Sequence, residues 1–264
     1  MAGAFISGVD SEKQTAGVKS TLANAFKKIG SQKLFYVLSK DEVPLDVNHP
    51  DHPSIVSLVN HPKYDTVYSP IIAMLMHTII KQMSIRNRHP SFLLMEEAPT
   101  LKLPYMHRIP ATLRSYAICT VYVMQDKVQN DLLYGDKASK AILSNLSYQF
   151  FGKVNDPDTA KYYERFFEII KAPTKSVSKS SGMSFESRIT KGEREVSKRR
   201  ANLFFRLKPG EFIAFADGKD KRIRFTRQAI EKKVPPQKRY SSDEDLAMAY
   251  IRIYKEVEEI LKLA

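Results

Sequence analysis

A single cysteine, Cys119, stands in the 264 residues, so no internal disulfide can form and the chain suits a reducing compartment. Beside an apolar run it reads as a small core residue rather than a nucleophile. Long apolar runs are missing: the longest, Ile71–Met76, is broken at His77 and Lys81 and is too short to span a bilayer. The Met1–Gly8 start has neither a basic n-region nor a long apolar core, so no secretory leader is read there. Acid is scarce relative to base, with 29 Asp and Glu against 42 Lys and Arg. The net charge of +13 favours nucleic acid or an acidic surface as partner and says nothing about fold. Also missing is a phosphate-cradling loop of the form G-x-x-x-x-G-K-[ST]. Gly-Lys occurs only at Gly152-Lys153-Val154 and Gly218-Lys219-Asp220, and neither is followed by Ser or Thr. Internal repeats are absent too. With 43% apolar residues and ordinary Gly and Pro content, most of the chain should fold around a real core.

Hydrophobic periodicity orders the chain. Ser11–Lys28 is predicted as a helix, with Val18, Leu22, Ala25, Phe26 and Ile29 on one face and Gly30 as its stop. Leu34–Leu38 and Ser54–Val59 read as short strands around a polar, proline-punctuated loop, Asp41–Pro53. Ser69-Pro70 reads as N-cap and first-turn proline of an apolar helix to about Arg86. Then come a strand at Phe92–Glu96, a helix at Met106–Ser115, a strand at Thr120–Met124, a helix at Lys137–Ser147, a strand at Tyr148–Val154 and an acid-capped helix at Asp156–Ile170. Strands alternating with helices imply an α/β fold, a mostly parallel sheet covered on both faces. Ala172–Asn202 carries nine Ser/Thr, eight Lys/Arg and three Glu, and reads as a mobile basic linker. Order resumes at Leu203–Arg206. A hairpin of Glu211–Ala216 and Arg222–Thr226 about Asp217-Gly218 is expected at the sheet edge. Ser241-Ser242-Asp243-Glu244 caps a final amphipathic helix with Leu246, Ala249, Ile253, Val257 and Ile260-Leu261 on one side.

The chemistry concentrates at Phe92-Leu93-Leu94-Met95-Glu96-Glu97, an apolar run that ends in two adjacent carboxylates. A second run, Thr120–Met124, is closed by Gln125. In P-loop motor ATPases a buried strand ends in a pair of acids, one by the Mg²⁺ and one that activates the attacking water. The first run is thus a candidate hydrolysis strand and the second a candidate phosphate-sensing strand. Three histidines, His49, His52 and His61, crowd a loop rich in Pro and Asp. With Asp51 they could hold a metal. No cysteine accompanies them, and the loop does not lie on a helix face, so they are read as loop polar groups. His77 reads as a core residue.

Several ordered motifs resemble the TraG-type conjugative coupling proteins, hexameric ATPases that feed DNA to type IV secretion channels. They are Met95-Glu96-Glu97-Ala98-Pro99-Thr100-Leu101, Thr112-Leu113-Arg114-Ser115-Tyr116-Ala117-Ile118, Val123-Met124-Gln125-Asp126, Tyr134-Gly135-Asp136-Lys137-Ala138 and Ile142-Leu143-Ser144-Asn145. The resemblance covers roughly residues 15–170 and, more loosely, 203–225. It implies a RecA-like three-layer αβα fold with a C-terminal β-hairpin and helix. The implied divisions are a helical lead-in at 1–32, part of the ATPase domain at 33–171, the basic linker at 172–202, and the hairpin and last helix at 203–264. Glu96 matches the Walker B acid that orders Mg²⁺ through water, and Glu97 the carboxylate that polarises the attacking water. Gln125 matches the sensor of the γ-phosphate. Arg114 matches the arginine that reaches a neighbouring subunit's nucleotide, a role suited to its permanently charged fork. The family commonly has Asp where this chain has Glu96, so reach to the metal is longer by one C–C bond.

The resemblance implies ATP and Mg²⁺ as cofactors of the full-length protein, and no nucleotide held by this chain alone. DNA, relaxase and relaxosome proteins, secretion-channel components and further copies of the chain are the implied partners. The cytoplasmic side of the inner membrane is the implied location, with a membrane anchor and the P-loop strand upstream of Met1. Lys198, Arg199 and Arg200 in the basic arm are candidate DNA contacts, recognisable by salt dependence. Two rival readings are a stand-alone DNA- or relaxosome-binding module, and another RecA-like ring translocase.

Overall fold

The computed structural model describes residues 12–179, 187–229 and 242–262. In chain order the elements are α1 (Glu12–Ile29), α2 (Gln32–Leu38), α3 (Asp65–Met83), β1 (Ser91–Met95), α4 (Ile109–Leu113), β2 (Ile118–Tyr122), α5 (Lys127–Tyr134) and α6 (Asp136–Ser144). They continue with β3 (Gln149–Phe151), α7 (Pro157–Glu164), β4 (Ile169–Lys179), β5 (Ser187–Ser197), α8 (Ala201–Phe205), β6 (Glu211–Ala216), β7 (Lys219–Arg224) and α9 (Asp243–Lys262). The chain divides into two compact units, one of residues up to 91 with the last helix and one of Phe92–Glu231.

The first unit is helical. Leu34–Leu38, expected as a strand, is instead the body of α2. The Ser31 side chain accepts a hydrogen bond from the Leu34 amide at 3.4 Å, which caps a helix. The helical register buries Leu34 and sets the Phe35 ring edge-on to Tyr250 of α9, centroids 5.2 Å apart. Five consecutive apolar residues carry no period, so only the cap distinguishes helix from strand here. Ser54–Val59 is extended, with Ile55 and Val59 facing out, but no strand among the described residues pairs with it. α3 begins four residues before the expected Ser69, at Asp65, and carries Pro70 inside it. It buries Ile71, Ile79, Ile80 and Met83. α9 opens with a reciprocal cap. The Ser242 hydroxyl accepts from the Asp245 amide at 3.1 Å, and the Asp245 carboxylate accepts from the Ser242 amide at 2.8 Å.

The second unit keeps the alternation of strand and helix from β1 to α7. β1 and β2 form a two-stranded parallel sheet. β1 alternates, burying Leu93 and Met95 while Phe92 and Leu94 face out. Cys119, expected in the core, is exposed because Ile118 takes the inward position of β2. The other described strands pair antiparallel. The hairpin β6–β7 docks through β6 on β3, with Phe151 opposite Ile213. Its two-residue turn has Asp217 and Gly218 both at positive φ, 50° and 72°, as a type I′ turn requires. At the mouth of the hairpin Gly210 has φ 80°, and a Cβ there would stand 2.5 Å from the Phe225 carbonyl oxygen, so only glycine fits. One face of this sheet packs Phe151 and Ile213 with Val154, Ala160, Tyr163, Phe167, Phe204 and Leu207 into an aromatic-rich core.

Of residues 172–202, expected as a basic linker, 180–186 lie outside the described residues, and most of the others belong to two paired strands. β4 and β5 pair in register from Ile169 opposite Ser197 to Lys179 opposite Ser187. Composition missed them because a two-stranded ribbon rests on main-chain hydrogen bonds between its strands, which sequence polarity does not report.

Candidate functional site

Parallel pairing sends β1 and β2 out of the sheet side by side. The Val123 amide donates to the Met95 carbonyl and the Ala98 amide to the Val123 carbonyl, each at 2.9 Å. These two bonds place Glu96-Glu97 beside the chain that leads to Gln125. The Gln125 side-chain amide donates to Oε1 of Glu97 at 2.5 Å. Both residues are exposed, and the other Glu97 oxygen remains available to a water. Glu97 itself has φ 50° and ψ 42°, a left-handed conformation uncommon for a residue with a Cβ. Surrounding bonds hold it there. Its carbonyl accepts from both the amide and the hydroxyl of Thr100, each at 2.8 Å, and Ala98 next to it is buried. Such over-determined backbone strain clusters at functional sites. Glu96 is exposed at the start of the same turn.

Arg114 does not join them. It opens a 3₁₀ turn, Arg114–Tyr116, just before β2, with its side chain exposed. Gln125 lies beyond the opposite end of that strand, which at about 3.3 Å per residue spans roughly 16 Å. The sequence brings Glu97 and Gln125 together and holds Arg114 at the far edge.

Sequence reading missed the polar scaffold behind the site. The Asp126 side chain, next to Gln125, accepts from the Val128 amide at 2.9 Å and so caps α5; the buried Thr159 hydroxyl donates to the same oxygen at 2.8 Å. Thr159 also donates its amide to Asp156, the cap of α7, at 2.6 Å. Tyr122 donates to Oδ1 of Asn130, whose amide donates to the Ser139 hydroxyl at 2.8 Å. Asn130 and Ser139 are fully buried, and burial raises the Tyr122 hydroxyl far above its ordinary pKa, with Tyr134 nearby adding to it. The Tyr134 hydroxyl donates to the Leu101 carbonyl and accepts from the Leu103 amide, both at 3.1 Å, tying α5 to the chain that follows Glu97. Lys127 is buried against Asp131 at 2.6 Å and lies over the Tyr162 ring at 5.2 Å. The visible signal for this scaffold was Asp126 itself, an N-cap residue directly after the sensor position.

Two of the three candidate DNA contacts are engaged within the fold. Lys198 Nζ and Arg199 Nε each stand 2.8 Å from a different oxygen of Asp220, whose side chain is 6% exposed. Burial pushes that carboxyl up, but its bonds to Lys198 and Arg199 outweigh burial and hold it below the usual carboxylate range. Arg200 stays exposed before α8.

Residues 90–203 match the family described as the TraM recognition site of TraD and TraG. No curated protein sequence matches the chain. The structure is similar to that of the plasmid coupling protein TrwB in complex with ADP and Mg²⁺, with a TM-score of 0.61 and 12% identity over 86% of this chain and 57% of that one. TrwB with a non-hydrolysable ATP analogue matches with a TM-score of 0.57 and 12% identity, over 72% of this chain and 44% of that one. The unbound bacterial conjugative coupling protein TrwB, in a monoclinic form, gives 0.54 and 14%, over 67% and 42%. No helix among the described residues is long and apolar enough to cross a membrane. The chain, which spans about half the length of these solved structures, resembles the TraG-type conjugative coupling proteins in sequence over residues 90–203 and shares their RecA-like α/β fold.

Proposed function

We propose that the chain is part of a conjugative coupling protein, an ATP-driven DNA translocase that links a relaxosome to a type IV secretion channel. The observation that carries this reading is the Glu97–Gln125 hydrogen bond at the carboxyl ends of two parallel strands. Ligands of open α/β sheets sit at those ends. Glu97 acts as the carboxylate that takes a proton from the attacking water, and Gln125 orients it and reads the γ-phosphate. Glu96 orders Mg²⁺ through water. ATP and Mg²⁺ are bound by the full-length protein, whose remaining part supplies the phosphate-gripping loop; this chain alone does not turn over ATP. Arg114, a strand's length from Glu97, serves the nucleotide of a neighbouring copy, which supports a ring, here taken as a hexamer. The family described by TraM recognition supports a relaxosome protein as partner. DNA contact through Lys198, Arg199 and Arg200 belongs to the same reading, with Arg200 the one not paired to Asp220. The full-length protein works at the cytoplasmic side of the inner membrane.

Conjugative transfer from donor cells tests the function. Glu97→Gln keeps the side chain's size and its hydrogen-bonding reach but removes the basic oxygen. Transfer frequency is expected to fall by at least about 10²-fold, the lower end of what a general base supplies. Unchanged transfer with the variant as the sole copy would exclude the proposed role.

A further inference from the structure

We propose that Asp46, His49 and His52 form a binding site for a divalent transition ion, with Zn²⁺ the ion their chemistry fits. The three residues stand at positions i, i+3 and i+6 of one loop, and their ligand atoms all lie within 4.8 Å of one another. Nε2 of His52 is 3.9 Å from Oδ2 of Asp46. Zinc bonds of about 2.0–2.2 Å set neighbouring tetrahedral ligands roughly 3.3 Å apart, so small movements close the site. Two imidazoles with one carboxylate are a zinc-type donor set, and three protein ligands leave a fourth position for water.

The loop is held by groups that are not ligands. The buried Asn48 donates its side-chain amide to the Met83 carbonyl at 3.1 Å. The Ser54 amide donates to Val47 at 2.8 Å and the His89 amide to Asn48 at 3.1 Å. The ligand side chains are therefore brought together by a backbone fixed elsewhere, which lowers the entropy cost of capture. The His49 and His52 rings stack, centroids 3.8 Å apart and planes 18° apart. Coordination turns them out of the stack, since near-parallel lone pairs do not converge. Both side chains are partly exposed, 25% and 60%, which leaves room for the rings to turn.

Proton accounting is internal. Nδ1 of His49 accepts from the Asp51 amide at 3.2 Å, so the neutral ring carries its proton on Nε2. When Nε2 binds the ion, its proton moves to Nδ1, the Asp51 amide loses its acceptor, and the turn of the ring brings Nδ1–H towards the Asp51 carboxylate, 3.9 Å away before the ion binds. A carboxylate behind a ligating histidine is the usual outer partner of zinc. Arg88 opposes binding: its Nη1 is 3.5 Å from Asp46 Oδ2 with no hydrogen bond to any described group. The ion must displace that contact, which weakens binding.

The test is Zn²⁺ titration of the untagged, metal-stripped chain against a chromophoric chelator. One Zn²⁺ per chain is expected. His49→Ala and His52→Ala should each weaken binding at least tenfold, whereas His61→Ala should leave it unchanged, because His61 caps a separate 3₁₀ turn through Lys63. Arg88→Gln should tighten binding. Melting of each variant without zinc shows whether it folds; where His49→Ala does not, the largely exposed His52 and Asp46→Asn carry the test. Binding that survives His52→Ala and Asp46→Asn, or that falls equally in His61→Ala, overturns the proposal, as does a chain that takes up no zinc below about 100 μM.

Discussion

Arg114→Ala in the intact protein is expected to reduce ATP hydrolysis by roughly 10³–10⁵-fold while nucleotide affinity changes little. That is the worth of an arginine supplied in trans to phosphoryl-transfer transition states. The structure sharpens the reason. Arg114 precedes β2 and Gln125 follows it, so the strand itself keeps the guanidinium away from the Glu97 of its own chain. Its side chain is exposed. In the proposed ring a second copy would bring it to a nucleotide. Mixing experiments separate the alternatives: an Arg114→Ala copy should be rescued in part by a Glu97→Gln copy, since each supplies what the other lacks. A variant that loses ATP affinity but keeps its turnover would assign Arg114 to ground-state binding or to structure.

Removing both cations from Asp220 is expected to destabilise the fold markedly. The Lys198→Ala, Arg199→Ala double variant leaves a carboxylate with a 6% exposed side chain and no charged partner. Breaking one side of a fully buried pair costs roughly 3–5 kcal/mol. Here the cations are 41% and 28% exposed, so about 2–3 kcal/mol is the discounted expectation. Thermal melting should fall by several degrees. Adding Asp220→Ala should recover part of the loss, because the stranded charge is then gone. Arg200→Ala should melt like the parent. The sign with pH is fixed by the depressed carboxyl of Asp220. Its contribution is present above the unfolded value near 3.9 and is lost as pH falls through the lower folded value. An unchanged melting temperature in the double variant would return Lys198 and Arg199 to a purely ligand-facing role.

What could be seen in the sequence was whatever carries its own local signature. The Phe92–Met95 run, the Gln125 terminus, the Asp156 cap with Pro157, the Asp217-Gly218 turn and the Ser242 cap each state their structure within a few residues. Leu34–Leu38 went wrong because an unbroken apolar run has no period, and the deciding group, Ser31, lay outside it. Ser54–Val59 alternates between half-buried and exposed like a strand, yet a strand exists only with a neighbour, and no window of sequence shows one. The β4–β5 ribbon is hidden for the same reason in reverse: its pairing partners lie in a single polar tract of sequence. At the site, Glu97 and Gln125 were legible as ends of apolar runs. The left-handed backbone of Glu97 and the Tyr122–Asn130–Ser139 chain were not, because both arise from contacts between residues far apart in sequence. Lys198 and Arg199 looked like free charge until Asp220, more than twenty residues on, was placed beside them.

In the proposed mechanism Glu97, oriented by Gln125, activates water for ATP hydrolysis. The most direct measurement is steady-state ATP turnover by the intact protein with Glu97→Gln, alongside equilibrium binding of ADP and Mg²⁺ to the same preparation. Turnover is expected to fall by roughly 10²–10⁴-fold, the range of a general base, with ADP affinity within a few-fold of the parent. Turnover unchanged by Glu97→Gln in a protein that binds nucleotide normally would contradict the account and move the catalytic carboxylate elsewhere.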